Sequence, residues 1–185
     1  MRIFIAVELP EEVKAEIGKI VESLKSIEAG VKWVEEKNVH ITLKFLGEVK
    51  DNDVERLKDI VKDVVADTKI FEVDYKGLGT FPEGKTPRVI WVGIKKGTDE
   101  LKKIADSLEV LLSKSGFRKE EREFSAHITI GRVKEKRNIG ELKKSIEEKK
   151  NTKFGKSTVG HITIMKSTLS PKGPIYEVVE KIPLK

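Results

Sequence analysis

The chain contains three histidines, and each opens the same tripeptide: His40-Ile41-Thr42, His127-Ile128-Thr129 and His161-Ile162-Thr163. Imidazole has an ordinary pKa of about 6.5, so it can give or take a proton near neutrality. Alternate residues of a β-strand share a face, so each motif sets an imidazole beside a hydroxyl and turns the isoleucine the other way. Two such motifs facing one volume supply a neutral imidazole to take a proton from an attacking water or hydroxyl, and a charged one to protonate the departing oxygen. The threonine hydroxyls donate to non-bridging oxygens, where negative charge must be held. This set points to cleavage of a phosphodiester rather than to acyl transfer. Metal chemistry fits less well, because each motif brings one imidazole and no Asp or Glu at ligand spacing.

The order of elements says which two motifs belong together. "RIFIAVEL" alternates as a strand, and Val13, Ile17, Ile20, Val21, Leu24 and Ile27 then form a helical stripe that ends near Gly30. "VHITLKFLG" is the second strand. Asp51, Asn52 or Asp53 is the expected cap of a helix carrying Val54, Leu57, Val61 and Val64, and "IFEVDYKGLG" is a third strand. The second half repeats this order: strand "RVIWVGIK", a helix capped by Thr98, strand "AHITIGRV", a helix from Asn138 and strand "TVGHITIM". A last strand, "IYEVVEKI", has no counterpart. His40 and His127 lie 87 positions apart, as do the starts of both helix pairs; the same offset carries His161 back to Asp74, in a strand without histidine. The expected fold is therefore α+β: a duplicated, bilobal molecule with two antiparallel-rich sheets facing a central cleft and helices outside. Residues 1–185 form one domain, with lobes at roughly 1–80 and 88–170 and a C-terminal closing strand. His40 and His127 are the equivalent pair, and His161 is a strand histidine satisfied by its own local hydrogen bond.

Composition narrows the classes. The 185 residues include no cysteine, which removes disulfides, thiolate nucleophiles and cysteine–metal sites. Glutamine is also absent, and with abundant Lys and Glu this suits a hyperthermophile. No apolar run is long enough to span a membrane, and "MRIFIAVELPEE" lacks a small-residue cleavage site, so the expected location is the cytoplasm. The formal charge of +6 favours a polyanionic partner, although mixed clusters such as "FRKEERE" and "RVKEKR" read as solvated faces.

The blocks "RIFIAVELP", "VKWVEEKNVHITLKFLG", "GTFPEGKTPRVIWVG", "HITIGRV" and "STLSPKGPIYEVV" resemble, in this order, the RNA 2′,3′-cyclic phosphodiesterase (2′-5′ RNA ligase) branch of the 2H phosphoesterase superfamily, as an archaeal-type member. The resemblance spans the chain. It implies metal-independent, cofactor-free hydrolysis of a terminal 2′,3′-cyclic phosphate on RNA to a 2′-phosphate, with His40 as proton donor to O3′, His127 as the base that activates water, and Thr42 and Thr129 as phosphate ligands. The direction of proton transfer comes from the family alone. The family strand that matches the third motif carries no catalytic histidine and ends at a Ser-Xaa-Leu element, here Ser167 and Leu169. Expected partners are RNA ends, tRNA fragments among them, with the chain acting as a monomer. Two other readings stay open: 2′-5′ ligation of tRNA halves, and an RNA-end-binding module without turnover.

Two further substrate-binding candidates follow the motifs. Strict alternation places Lys44 on the face of His40 and Thr42. It aims Arg132 away from His127 unless Gly131 permits a bulge. Phe45 and Trp91 are candidates for stacking on a base, with core packing as the competing role.

Overall fold

The computed structural model describes residues 1–84 and 86–185; Lys85, within the "GTFPEGKTPRVIWVG" block, lies outside the described residues. The chain runs β1 (Arg2–Glu8), α1 (Glu11–Lys25), β2 (Val31–Trp33), β3 (His40–Glu48), α2 (Val54–Val65), β4 (Phe71–Phe81), β5 (Val89–Lys96), α3 (Thr98–Lys114), β6 (His127–Val133), α4 (Ile139–Glu148), β7 (Lys153–Val159), β8 (His161–Ser170) and β9 (Gly173–Pro183). One sheet has the order β3-β1-β8-β9 and the other β2-β6-β5-β4-β7. Every pairing in both is antiparallel.

Alternation along β1 explains the layering. Ile3, Ile5 and Val7 are buried against the apolar stripes of the helices, where α2 and α3 pack together and α3 lies on β3. Phe4 and Ala6 occupy the opposite face. The helices form where the 3.6-residue stripe predicts them: Val13, Ile17, Val21 and Leu24 are buried on α1, and Leu101, Ile104, Leu108 and Leu112 on α3. Two expected caps differ. Thr98 is the first helical residue of α3, and the helix starts instead from Gly97 at φ 97°, where a Cβ would sit 2.7 Å from the Glu72 carbonyl oxygen. Asp53 precedes α2 without capping it, because its carboxylate is engaged with Arg56 at 3.0 Å.

The sheets do not follow the chain's midpoint. β4, from the first half, lies between β5 and β7, and the short β2 pairs with β6. In return β8 crosses to lie beside β1. The stretch "TVGHITIM" is therefore two strands and not one: it breaks at Gly160, with β7 in one sheet and β8 in the other. β4 and β8 are the 87-offset counterparts, and each has left its own half to complete the other's sheet.

Candidate active site

The pseudo-symmetry extends to single hydrogen bonds. Nδ1 of His40 donates to the Asn38 carbonyl at 2.7 Å, and Nδ1 of His127 donates to the Ser125 carbonyl at the same 2.7 Å. A carbonyl accepts only, so in both rings the Nδ1 proton is fixed and Nε2 is left for chemistry. The two carbonyls are themselves 87 positions apart. Nε2 of His40 meets the Thr42 hydroxyl at 2.8 Å, so the neutral ring accepts that proton. Each ring also has an aromatic neighbour, though not at matching positions. Phe4 stacks on His40 at 4.9 Å, and Tyr176 closes its edge at 5.5 Å. Phe81 meets His127 edge-on at 5.3 Å and leans on Trp91, the counterpart of Phe4, at 5.4 Å. Trp91 lies flat over Gly79, where a Cβ would fall 2.3 Å from the indole.

A bulge in each motif strand decides where the following residues point. In the β1–β3 pairing Thr42 is opposite Ala6 and Lys44 opposite Ile5, so Leu43 is the extra residue. Lys44 is thereby turned away from His40 and Thr42. Its side chain, 2% exposed, donates to Glu109 on α3 and to the Arg118 carbonyl at 2.7 Å. The expected phosphate contact is instead a buried strut between sheet and helix. Phe45 takes the face that alternation had assigned to Lys44, 53% exposed and tilted on Phe4 at 6.1 Å, which sets aside the core role expected for it. In the β5–β6 pairing Thr129 is opposite Trp91 and Gly131 opposite Ile90, so Ile130 is the extra residue, 87 positions after Leu43. This bulge returns Arg132, opposite Val89, to the face of Thr129 and His127, the outcome that strict alternation ruled out.

The two motif strands adjoin where the sheets meet. The clearest link across the junction is Tyr176 on β9. Burial pushes its hydroxyl pKa up, while Arg132 on β6 and Arg2 on β1 are close enough to pull it back. A pocket of about 280 Å³ opens beside His40, walled by Glu8, Lys14, Lys37, Asn38, Met165, Ile175 and Tyr176. Burial there holds His40 below the ordinary imidazole range against the opposing bond to Asn38, with Lys14 adding to the depression.

His161 is occupied elsewhere. Its Nε2 donates to Glu8 Oε2 at 3.0 Å, which also accepts from Thr163 at 3.2 Å and lies 3.9 Å from Lys181. Burial raises the Glu8 pKa, but the His161 bond with Lys181 and Thr163 outweighs it and holds the carboxylate below its ordinary range. The partner is therefore a side chain 153 residues away in sequence, not a local group. Lys14, Glu8 and Tyr176 escaped the sequence reading because nothing in their spacing relates them to the motifs. Among the described residues no cluster of three or more His, Cys, Asp or Glu is placed to hold a metal.

A model of the LigT-like phosphoesterase family matches the chain twice, over residues 7–91 and again over 92–176. The chain belongs to the LigT-like phosphoesterase family. Relatives within this family include the RNA 2′,3′-cyclic phosphodiesterase of Methanocaldococcus jannaschii, 44% identical over 98% of this chain and 99% of that protein. The enzyme of that name from Methanothermobacter thermautotrophicus is 37% identical over 97% of each chain. Among solved LigT-like structures, TT0787 of Thermus thermophilus superposes with a TM-score of 0.79 at 28% identity, covering 100% of this chain and 98% of its own. Escherichia coli LigT in complex with 3′-AMP shares the fold, with a TM-score of 0.79 at 23% identity over 99% and 97%. No helix of this LigT-like chain is long and apolar enough to cross a membrane.

Proposed function

We propose that the chain is an RNA 2′,3′-cyclic phosphodiesterase in which His40 and His127 carry out both proton transfers without a metal. The observation that carries the reading is the matched anchoring of the two rings, Nδ1 to the carbonyl two residues earlier, which leaves two Nε2 atoms as the reactive groups. That bond persists in either charge state, so a ring can lose or gain its Nε2 proton without turning. Names shared by relatives as similar as 44% over nearly the full length support the same substrate.

The mechanism follows from these groups. Neutral His127 takes a proton from water as the water attacks phosphorus, the bond to O3′ breaks opposite, and charged His40 delivers its Nε2 proton to O3′, leaving a 2′-phosphate. Thr42 and Thr129 hold the non-bridging oxygens as charge gathers on them, and Arg132 binds substrate beside them. If the 5′-hydroxyl of a second RNA replaces water, the same steps give a 2′-5′ linkage. On this reading the chain is a single domain that works as a cytoplasmic monomer on RNA ends such as those of tRNA fragments; sedimentation and sequencing of captured RNA check that finer assignment.

The test is a short oligoribonucleotide ending in a 2′,3′-cyclic phosphate, with the product identified by its phosphomonoester. A 2′-phosphate is expected, unaffected by EDTA, and His40→Ala or His127→Ala each lowers kcat by about 100-fold or more. Appearance of a 3′-phosphate, or loss of activity with chelator, contradicts the proposal; binding without turnover by the unmodified protein makes it an end-binding module.

A further inference from the structure

The two half-sites are alike at the histidine, the threonine and the bulge, and they differ five residues beyond each histidine. There the first half-site presents the ring of Phe45 and the second the guanidinium of Arg132. Arg132 does not stand alone. Lys32 on β2 is its direct partner in the β2–β6 register and so shares its face. Arg2 on β1 and Tyr176 on β9 flank Ser167 of β8 in one cross-strand row, so Arg2 shares the face of Tyr176, whose hydroxyl also feels Arg132. All three cations are exposed. None has an ion-pair partner among the described residues, although lysines on α1, on α2 and just beyond α4 are paired with a glutamate three positions earlier. Like charges directly opposite on neighbouring strands destabilise a sheet. Lys32 opposite Arg132 is such a pair, and an anion seated between them relieves the repulsion.

We propose that Arg2, Lys32 and Arg132 form a track for the backbone phosphates of single-stranded RNA upstream of the reacting end, so that the strand approaches past Arg132, across the junction of the two sheets. This rests on the reading of the chain as an RNA-end phosphodiesterase and goes beyond it. The histidines are related by pseudo-symmetry, but a substrate with one free end needs a direction. The cationic track supplies that direction, with Phe45 presenting an uncharged surface at the counterpart position. An oligomer is then preferred to a cyclic mononucleotide, which has no upstream phosphate to place.

Two measurements separate this proposal from the one it rests on. Hydrolysis of a 2′,3′-cyclic tetranucleotide and of a 2′,3′-cyclic mononucleotide tests the chemistry. Fluorescence anisotropy of a labelled tetranucleotide bearing a 2′-phosphate, titrated across salt concentrations, tests the track even if no turnover is found. Arg2→Ala and Lys32→Ala are each expected to weaken tetranucleotide binding on the order of tenfold and to reduce the log–log salt slope by about 0.7 to 1. In hydrolysis they lower the tetranucleotide-to-mononucleotide ratio of kcat/KM. Lys150→Ala, which removes a surface pair at the C-terminal end of α4, serves as the control and leaves affinity and slope unchanged. Wild-type affinity and slope in both track variants overturn the proposal, as does an equal fall for the two substrates.

Discussion

At the scale of single residues, the two histidines are matched in their Nδ1 bonds and differ in what surrounds the ring. His40 is half-buried beneath Phe4 and Tyr176, and its pKa lies below the ordinary imidazole value in the free protein. A proton donor must be charged. If His40 is that donor, the alkaline limb of kcat/KM, set by the free enzyme, falls below about 6.5. Binding an anionic phosphate favours the charged ring and raises its pKa, so the alkaline limb of kcat lies at higher pH than that of kcat/KM. Comparing the two profiles checks this; an acid limb that moves while the alkaline limb stays put assigns His40 as the base. His161 gives the complementary expectation. Its Nε2 is committed to Glu8, so His161→Ala leaves most of kcat intact, and a loss as deep as that of His127→Ala contradicts its placement outside the chemistry.

At the scale of elements, an extra residue just after each His-Ile-Thr exchanges the roles of its neighbours. Leu43 and Ile130 turn Lys44 and Gly131 toward the helix side and bring Phe45 and Arg132 to the cleft. The consequence for Lys44 is energetic. Removing it takes the buried ammonium away from Glu109, which is a quarter exposed and keeps the Glu120 N–H, and from the Arg118 carbonyl. Lys44→Met is expected to cost roughly 2–4 kcal/mol, read from the midpoint of chemical denaturation at unchanged m-value. A cost below about 0.5 kcal/mol would place Lys44 with surface ion pairs instead.

At the scale of the whole molecule, the exchange of β4 for β8 makes each sheet a joint product of both halves. Residues 1–87 alone carry β1 and β3 without β8, and they carry β4 without the β5 and β7 that flank it. That fragment is expected not to fold, while the full chain unfolds in one cooperative transition; circular dichroism of the fragment and calorimetry of the intact protein check both. An independently folded, cooperatively melting fragment 1–87 contradicts the interlock. The sequence alone determined what lies within reach of local periodicity: the helices, the motif strands, the 87-residue offset and the equivalence of His40 with His127. It also determined that His161 lies outside the repeat, since the offset leads to Asp74. Tertiary structure decided the rest. A bulge leaves no mark in a two-residue alternation, so the faces of Lys44, Phe45 and Arg132 emerged only from the pairing of β1 with β3 and of β5 with β6. The break at Gly160 divides an apolar run whose residues suit either sheet equally, and only the available partner strands assign them. Lys14, Glu8 and Tyr176 come to the site along separate elements, joined by long-range packing that no spacing in the chain encodes.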